Sequence, residues 1–155
     1  MATTIKVDGL KELLRDMRAL GADMELKVAR AGANAGAQVV KKHAIRMAPE
    51  STESHQLGVR KDQIAQPGNL KKNIIVKRLP PAERTVTEQF IVGVRHGSGK
   101  VPKDAFYWRF VEFGTVKMPA RPFLRPALAS NQQEVIDAMK KRIKARIDKA
   151  NRSGK

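Results

Sequence analysis

Glu112 is the ionisable residue whose setting most invites chemistry. It stands in the stretch Phe-Val-Glu-Phe-Gly-Thr, residues 110–115, with apolar neighbours on both sides. A carboxylate buried among such neighbours has its pKa raised and can act as a general acid or base. That work needs a second group, and no other carboxylate stands near it, since Asp104 reads as a helix cap. The structural reading is favoured: Glu112 pairs with an arginine, or accepts bonds from backbone amides in the Gly114 turn. Ser98, in Gly97-Ser98-Gly99, lacks the Gly-x-Ser-x-Gly spacing and the strand-to-helix setting of a nucleophile elbow. The same stretch through Lys100 lacks the leading Gly of a phosphate loop and the Ser or Thr that follows its Lys. His43, His55 and His96 lie far apart and form no helical pair of metal ligands, so neither a metal nor a cofactor is expected. The chain has no cysteine, which excludes disulfides, thiolate zinc sites and a cysteine nucleophile. No enzyme class is supported by these residues.

Two features point to binding instead. Four of the seven aromatic residues (Phe106, Tyr107, Trp108, Phe110) fall within five positions, with Arg109 among them. Such a mixture can stack on nucleobases. At helical spacing, however, Tyr107, Phe110 and Val111 share one face, as core residues do. The second feature is charge: 31 Lys and Arg against 15 Asp and Glu give a formal +16. That attracts polyanions at long range, either nucleic acid or acidic partner proteins. The charge is unevenly spread. Residues 140–155 carry eight basic residues, including Lys140, Arg142 and Arg146, and one acid, Asp148.

The elements that must position these residues follow from periodicity and turn chemistry. Residues 3–7 read as a short strand. Asp8 is expected to cap a helix with Leu10, Leu13, Leu14 and Met17 on one face. Gly21 breaks it, and a longer helix is predicted from about Asp23 to Met47, before Pro49. Its middle holds Ala29, Ala31, Gly32, Ala33, Ala35, Gly36 and Ala37. Glycines at 32 and 36 cost helix stability of about 1 kcal/mol each. The return is close approach of another backbone, from the domain's own sheet or a neighbouring subunit. Residues 48–69 read as a projecting loop without regular structure, which can also be disordered in the free protein and order on assembly. Residues 74–79 and 85–94 predict an antiparallel hairpin, with Pro80-Pro81 ending its first strand. Residues 96–100 read as a flexible turn. A short aromatic helix over 106–113 ends at Gly114, and prolines 119, 122 and 126 forbid regular structure up to about Arg125. A last amphipathic helix carries Leu128, Val135, Ile136, Met139, Ile143 and Ile147 on its apolar stripe, with a frayed end over 150–155. The expectation is one α+β domain over 1–155. A long N-terminal helix and a C-terminal helix would pack on a small antiparallel sheet, with the 48–69 loop projecting. No run of residues is long and apolar enough for a membrane span, and the N-terminus lacks the apolar region of a signal peptide.

Tyr107-Trp108-Arg109-Phe110-Val111-Glu112-Phe113-Gly114-Thr115, followed by Met118-Pro119-Ala120-Arg121-Pro122-Phe123-Leu124-Arg125-Pro126-Ala127-Leu128, resembles the signature of a phage family. The family comprises the small head–tail joining, neck or tail-completion proteins of long-tailed double-stranded DNA bacteriophages. Gly9-Leu10-Lys11-Glu12-Leu13, the Ala/Gly-rich helix ending in Ala48-Pro49, and Pro67-Gly68-Asn69-Leu70 also resemble its elements, in the same order. One departure stands out: about 17 residues separate Pro49 from Pro67, where shorter members have few.

The resemblance implies a non-enzymatic virion protein of the neck or tail, assembled in the host cytoplasm. It implies a homo-oligomeric ring, hexameric or dodecameric, with the hexamer favoured. Partners would be a head-closure or connector protein, a tail-terminator or tail-tube protein, and DNA passing through the lumen with weak contact. Tyr107, Glu112, Gly114, Thr115, Pro122, Phe123, Arg125 and Pro126 are then the structural motif, a folded corner that fixes the subunit's shape. Assembly contacts are expected outside it, at Gly32 and Gly36, at Arg60 and Lys61 in the loop, and at Lys140, Arg142 and Arg146. The alternative is a sequence-neutral nucleic-acid-binding protein, marked by a steep salt dependence lost on neutralising residues 140–149.

Overall fold

The computed structural model describes residues 9–50, 55–56, 64–65, 67–95 and 105–153. The element order is α1 (Leu10–Arg18), α2 (Ala22–Met47), β1 (His55–Gln56), β2 (Ile64–Ala65), α3 (Asn69–Lys72), β3 (Ile74–Arg78), a 3-10 turn (Pro81–Glu83), β4 (Phe90–Val94), α4 (Trp108–Phe113), α5 (Leu124–Ala129) and α6 (Gln132–Ser153). The class is α+β, as expected, with long helices near both ends of the chain and small two-stranded sheets. Strands β3 and β4 run antiparallel: the Leu79 amide bonds the Gln89 carbonyl at 3.0 Å, and the Arg95 amide bonds that of Asn73 at 2.8 Å. The chain divides into two compact units. One comprises Met1–Val39, Arg78–Ile91 and Asn131–Lys155; the other comprises Val40–Lys77 and Val92–Ser130.

In the first unit, α1, α2 and α6 share a core of Met17, Val28 and Ile147, with Leu13, Leu20, Met24, Ala29 and Ile143 around it. Gly32 and Gly36 of α2 face α6 of the same chain. A Cβ added to Gly32 would lie 2.6 Å from Ile143 Cγ1, and one on Gly36 would lie 2.8 Å from Met139 Cγ. The two substitutions differ in what must yield. Ile143 is branched and stiff, whereas the atoms nearest Gly36 belong to the easily redirected Met139 thioether, with Val135 Cγ1 behind them at 3.1 Å. Gly32→Ala is therefore expected to lose about 1 kcal/mol, because overpacking outweighs the gain in helix propensity. Gly36→Ala should stay within about 0.5 kcal/mol of the parent, the two effects nearly cancelling. Urea midpoints measure both, and a stabilised Gly32→Ala would contradict the tight α2–α6 contact.

Several boundaries depart from the sequence expectation. Helix α1 begins after Gly9, which occupies the cap position with φ 73° and no side-chain cap; Asp8 and the strand predicted over 3–7 lie outside the described residues. The 48–69 region is not wholly irregular, because His55 pairs with Ala65 and Gln56 with Ile64 in an antiparallel ladder. Ladder bonds come from the backbone, so polar side chains do not announce them. Strand β4 is shorter than the predicted 85–94. In 85–89, side chains take the backbone's bonds: Gln89 Oε1 accepts from the Thr85 amide at 3.1 Å, and Arg84 donates to the carbonyls of Leu79 at 2.6 Å and Thr87 at 3.2 Å. The predicted last helix is two helices, α5 and α6, separated at Ser130-Asn131. Both are residue types that favour helix starts. Helix α6 runs through 150–153, where a frayed end was expected.

Candidate functional site

The motif residues meet in the second unit. Helix α4 begins after Tyr107, two residues later than predicted, and ends at Gly114, whose amide bonds the Phe110 carbonyl at 2.9 Å. Gly114 then takes φ 76°, ψ 177°, a conformation open essentially to glycine alone. Thr115 and Met118 pair through their backbones, with Thr115 Oγ accepting from the Lys117 amide at 3.3 Å. The chain returns along α4, where the Arg121 amide bonds the Val111 carbonyl at 2.8 Å. Phe123 is then driven fully into the core.

Glu112 closes this corner. It is 2% exposed, and its carboxylate accepts the backbone amides of Phe123 at 2.8 Å, Leu124 at 3.0 Å and Arg125 at 3.2 Å. These are the amides that an α-helix leaves unpaired at its start. Pro126, next in line, has no N–H, and the Ala127 amide bonds the Phe123 carbonyl at 3.3 Å. Every donor at the start of α5 is thus accounted for by one carboxylate, one proline and one helical bond. Of the two partners the sequence offered, an arginine is present at Arg125, while the amides bonded are those of 123–125 and not those of the Gly114 turn.

Arg125 Nε lies 3.6 Å from Glu112, and its guanidinium covers the Phe113 ring at 4.8 Å. Burial pushes the Glu112 pKa up, but the three amides and the Arg125 charge outweigh it and hold the carboxyl below its ordinary value. A carboxylate so held is ionised at neutral pH and is a poor proton donor. Tyr107 is half-buried; burial raises its pKa, partly offset by a hydrogen bond to the Asn69 side chain.

Around the corner, large apolar side chains stand in solvent. Phe110 is 50% exposed, Phe113 61%, Leu128 50%, and Val116, at the tip of the Thr115–Met118 turn, is fully exposed. Phe110 and Phe113 are neighbours one turn apart on α4. Leu128 lies three residues beyond Arg125, on the same side of α5.

The first unit holds a basic cavity of about 430 Å³, lined by Lys27, Arg30, Ala31 and Asn34 of α2, Arg78 and Phe90 of the hairpin, and Arg142 and Arg146 of α6. Glu88 anchors two of its arginines. Its side chain is 4% exposed and lies 2.7 Å from Arg78 Nη2, 3.2 Å from Arg30 Nε and 3.6 Å from Arg84 Nη1. The Arg78 bond, strengthened by Arg30 and the neighbouring charges, outweighs burial and holds Glu88 at about 2.

Both depressed carboxylates make stability fall in acid. A folded pKa below the unfolded one contributes stability that is complete above the unfolded value and lost as pH falls through the folded one. For Glu88 that window runs from its ordinary 4.5 down to about 2. Chemical denaturation across this range should show declining stability, with a smaller slope in Glu88→Gln and in Glu112→Gln. An unchanged slope in both variants would contradict these bonds.

The sequence-predicted residues thus fall into separate places. Tyr107, Glu112, Gly114, Thr115, Pro122, Phe123, Arg125 and Pro126 all belong to the second unit's corner. Arg142 and Arg146 line the cavity, Lys140 lies on α6 outside its lining, and Gly32 and Gly36 are covered by α6. Arg60 and Lys61 lie outside the described residues. Glu88 and the α2 contributors Lys27, Arg30 and Asn34 were not foreseen. Their spacing of three and four residues does mark one helical face. His43 is buried, and its Nδ1 accepts from Arg46 Nη2 at 2.6 Å. Among the described residues no cluster of three potential metal ligands occurs, and no helix is long and apolar enough to cross a membrane.

Comparison with known families matches residues 11–114 to the HK97-gp10-like family, described as "Bacteriophage HK97-gp10, putative tail-component". No curated protein and no solved structure matches the chain. The match takes in α1 through α4 and stops at Gly114, where the corner turns; two thirds of the chain is covered, and the chain belongs to the HK97-gp10-like family of bacteriophage tail components.

Proposed function

We propose that this chain is a structural protein of the virion neck that completes the tail or joins it to the head. It acts as a homo-oligomeric ring, hexameric or dodecameric with the hexamer favoured, through whose lumen the DNA passes with weak, salt-sensitive contact. Its neighbours are a head-closure or connector protein on one side and a tail-terminator or tail-tube protein on the other. Family membership supports a tail component. The observation that carries the joining role is the group of solvent-exposed apolar side chains at Phe110, Phe113, Val116 and Leu128. Large apolar side chains left in water next to a rigid corner suit a surface that is covered on assembly. The corner then serves both as scaffold and as contact, which extends the purely structural role read from the sequence.

The test is genetic. Phage lacking this gene should accumulate DNA-filled heads and separate tails, and supplying the protein should restore joined particles. Charged substitution at Val116 and Phe113 should leave the free protein folded and block that rescue. Normal infectious particles without the protein would overturn the proposal.

A further inference from the structure

The cavity in the first unit has a chemistry that the joining role does not by itself require. Five cationic side chains, from α2, the hairpin and α6, converge on a space of about 430 Å³. Glu88 already compensates Arg30 and Arg78. Among the described residues, Lys27, Arg142 and Arg146 have no ion-pair partner. The site is therefore net positive after its own salt bridges are formed. One wall of it is preorganised. Arg78 is held by two bonds to Glu88, from Nε at 2.9 Å and Nη2 at 2.7 Å, so its guanidinium does not need to be ordered when a ligand arrives.

Shape and lining decide between anions. A cavity of this volume is in the range that takes a compact ligand or a few side chains. Duplex DNA, about 20 Å across, can lie over its mouth but not enter it, and phosphate recognition makes no use of Phe90 and Ala31 in the lining. Carboxylates flanking an apolar side chain use both components. Guanidinium forks match carboxylates geometrically, and Arg clusters are a recurrent means of reading acidic segments.

We propose that this cavity is a docking socket for an acidic polypeptide segment, in which aspartate or glutamate side chains meet Lys27, Arg142 and Arg146 and an adjacent apolar side chain packs on Phe90. That the segment belongs to a neighbouring virion protein rests on the function proposed above; the socket itself does not.

The experiment uses the full-length protein and three fluorescent probes: a short peptide with glutamates flanking one leucine, the same peptide with glutamines in their place, and a DNA duplex. Anisotropy titrations compare the parent with Arg142→Glu/Arg146→Glu, with Lys27→Glu, and with Lys141→Glu/Lys144→Glu. The last pair changes the charge of the same helix equally but does not line the cavity. Thermal melts confirm that each variant is folded. The glutamate peptide should bind, the glutamine peptide should not, and affinity should fall about tenfold or more in the first two variants but less than about threefold in the third. Equal losses in both double variants would reduce the effect to net charge and overturn the socket. Cavity-specific loss for DNA but not for the peptide would overturn it in favour of phosphate binding. Failure of the neck proposal in phage leaves these titrations untouched, so the two ideas fail separately.

Discussion

Phe123→Ala is expected to destabilise the protein by about 4 kcal/mol, the cost of removing a large aromatic from a core that cannot fully collapse. Phe123 is fully buried, in a unit whose other buried residues include Ala105, Ala127, Leu70 and Ile74. Two of these, Ala105 and Ala127, are too small to refill a gap of that size. The substitution leaves the backbone amide bond to Glu112 intact. The loss therefore reports the side chain alone. Phe123→Leu keeps most of the volume and should lose about 1.5 kcal/mol or less. Urea denaturation of the isolated chain measures both, and a loss below about 1 kcal/mol for the alanine variant would remove Phe123 from the core.

Gly114→Ala should be about as severe, near 4 kcal/mol, since backbone strain of 1–3 kcal/mol adds to a clash of similar size. At φ 76° and ψ 177° an L-residue is strained whatever the space around it. Here there is no space: a Cβ would lie 2.8 Å from the Ala120 nitrogen and 3.0 Å from the Met118 oxygen. These are backbone atoms of the returning chain and cannot rotate aside. Gly9 supplies the control, with φ 73° but, among the described residues, nothing within 4 Å of an added Cβ. Gly9→Ala should cost only about 1 kcal/mol, the left-handed penalty without the clash. In thermal melts of a chain this size, Gly114→Ala should lower Tm by roughly 12 °C. Similar losses in the two variants would mean that the returning chain does not press on Gly114.

Both predictions concern the corner that joins α4 to α5, and it shows how far local signals reach. Gly114 as a helix stop, the proline-stiffened return and the long α2 were legible because each rests on backbone chemistry set by the residue itself. The split between α5 and α6 was partly legible, since Ser130 and Asn131 favour helix starts. The apolar stripe running from Leu128 to Ile147 concealed it. The shortening of β4 was not legible. A run rich in β-branched residues reads as strand until Gln89 turns back on Thr85 and Glu88 finds Arg30 and Arg78, distant in sequence.

Composition, periodicity and turn residues, by themselves, determined the α+β class, the main helices and the hairpin; the phage resemblance came separately, from the motif at residues 107–128. These depend on interactions within a few residues, which the local sequence specifies. Only the tertiary structure decided which amides Glu112 caps, which helix fills the Gly32 and Gly36 notches, and that Arg30, Arg78, Glu88, Arg142 and Arg146 share one cavity. Those pairings join residues far apart in the chain. Many partners are compatible with each residue's type, and packing selects one.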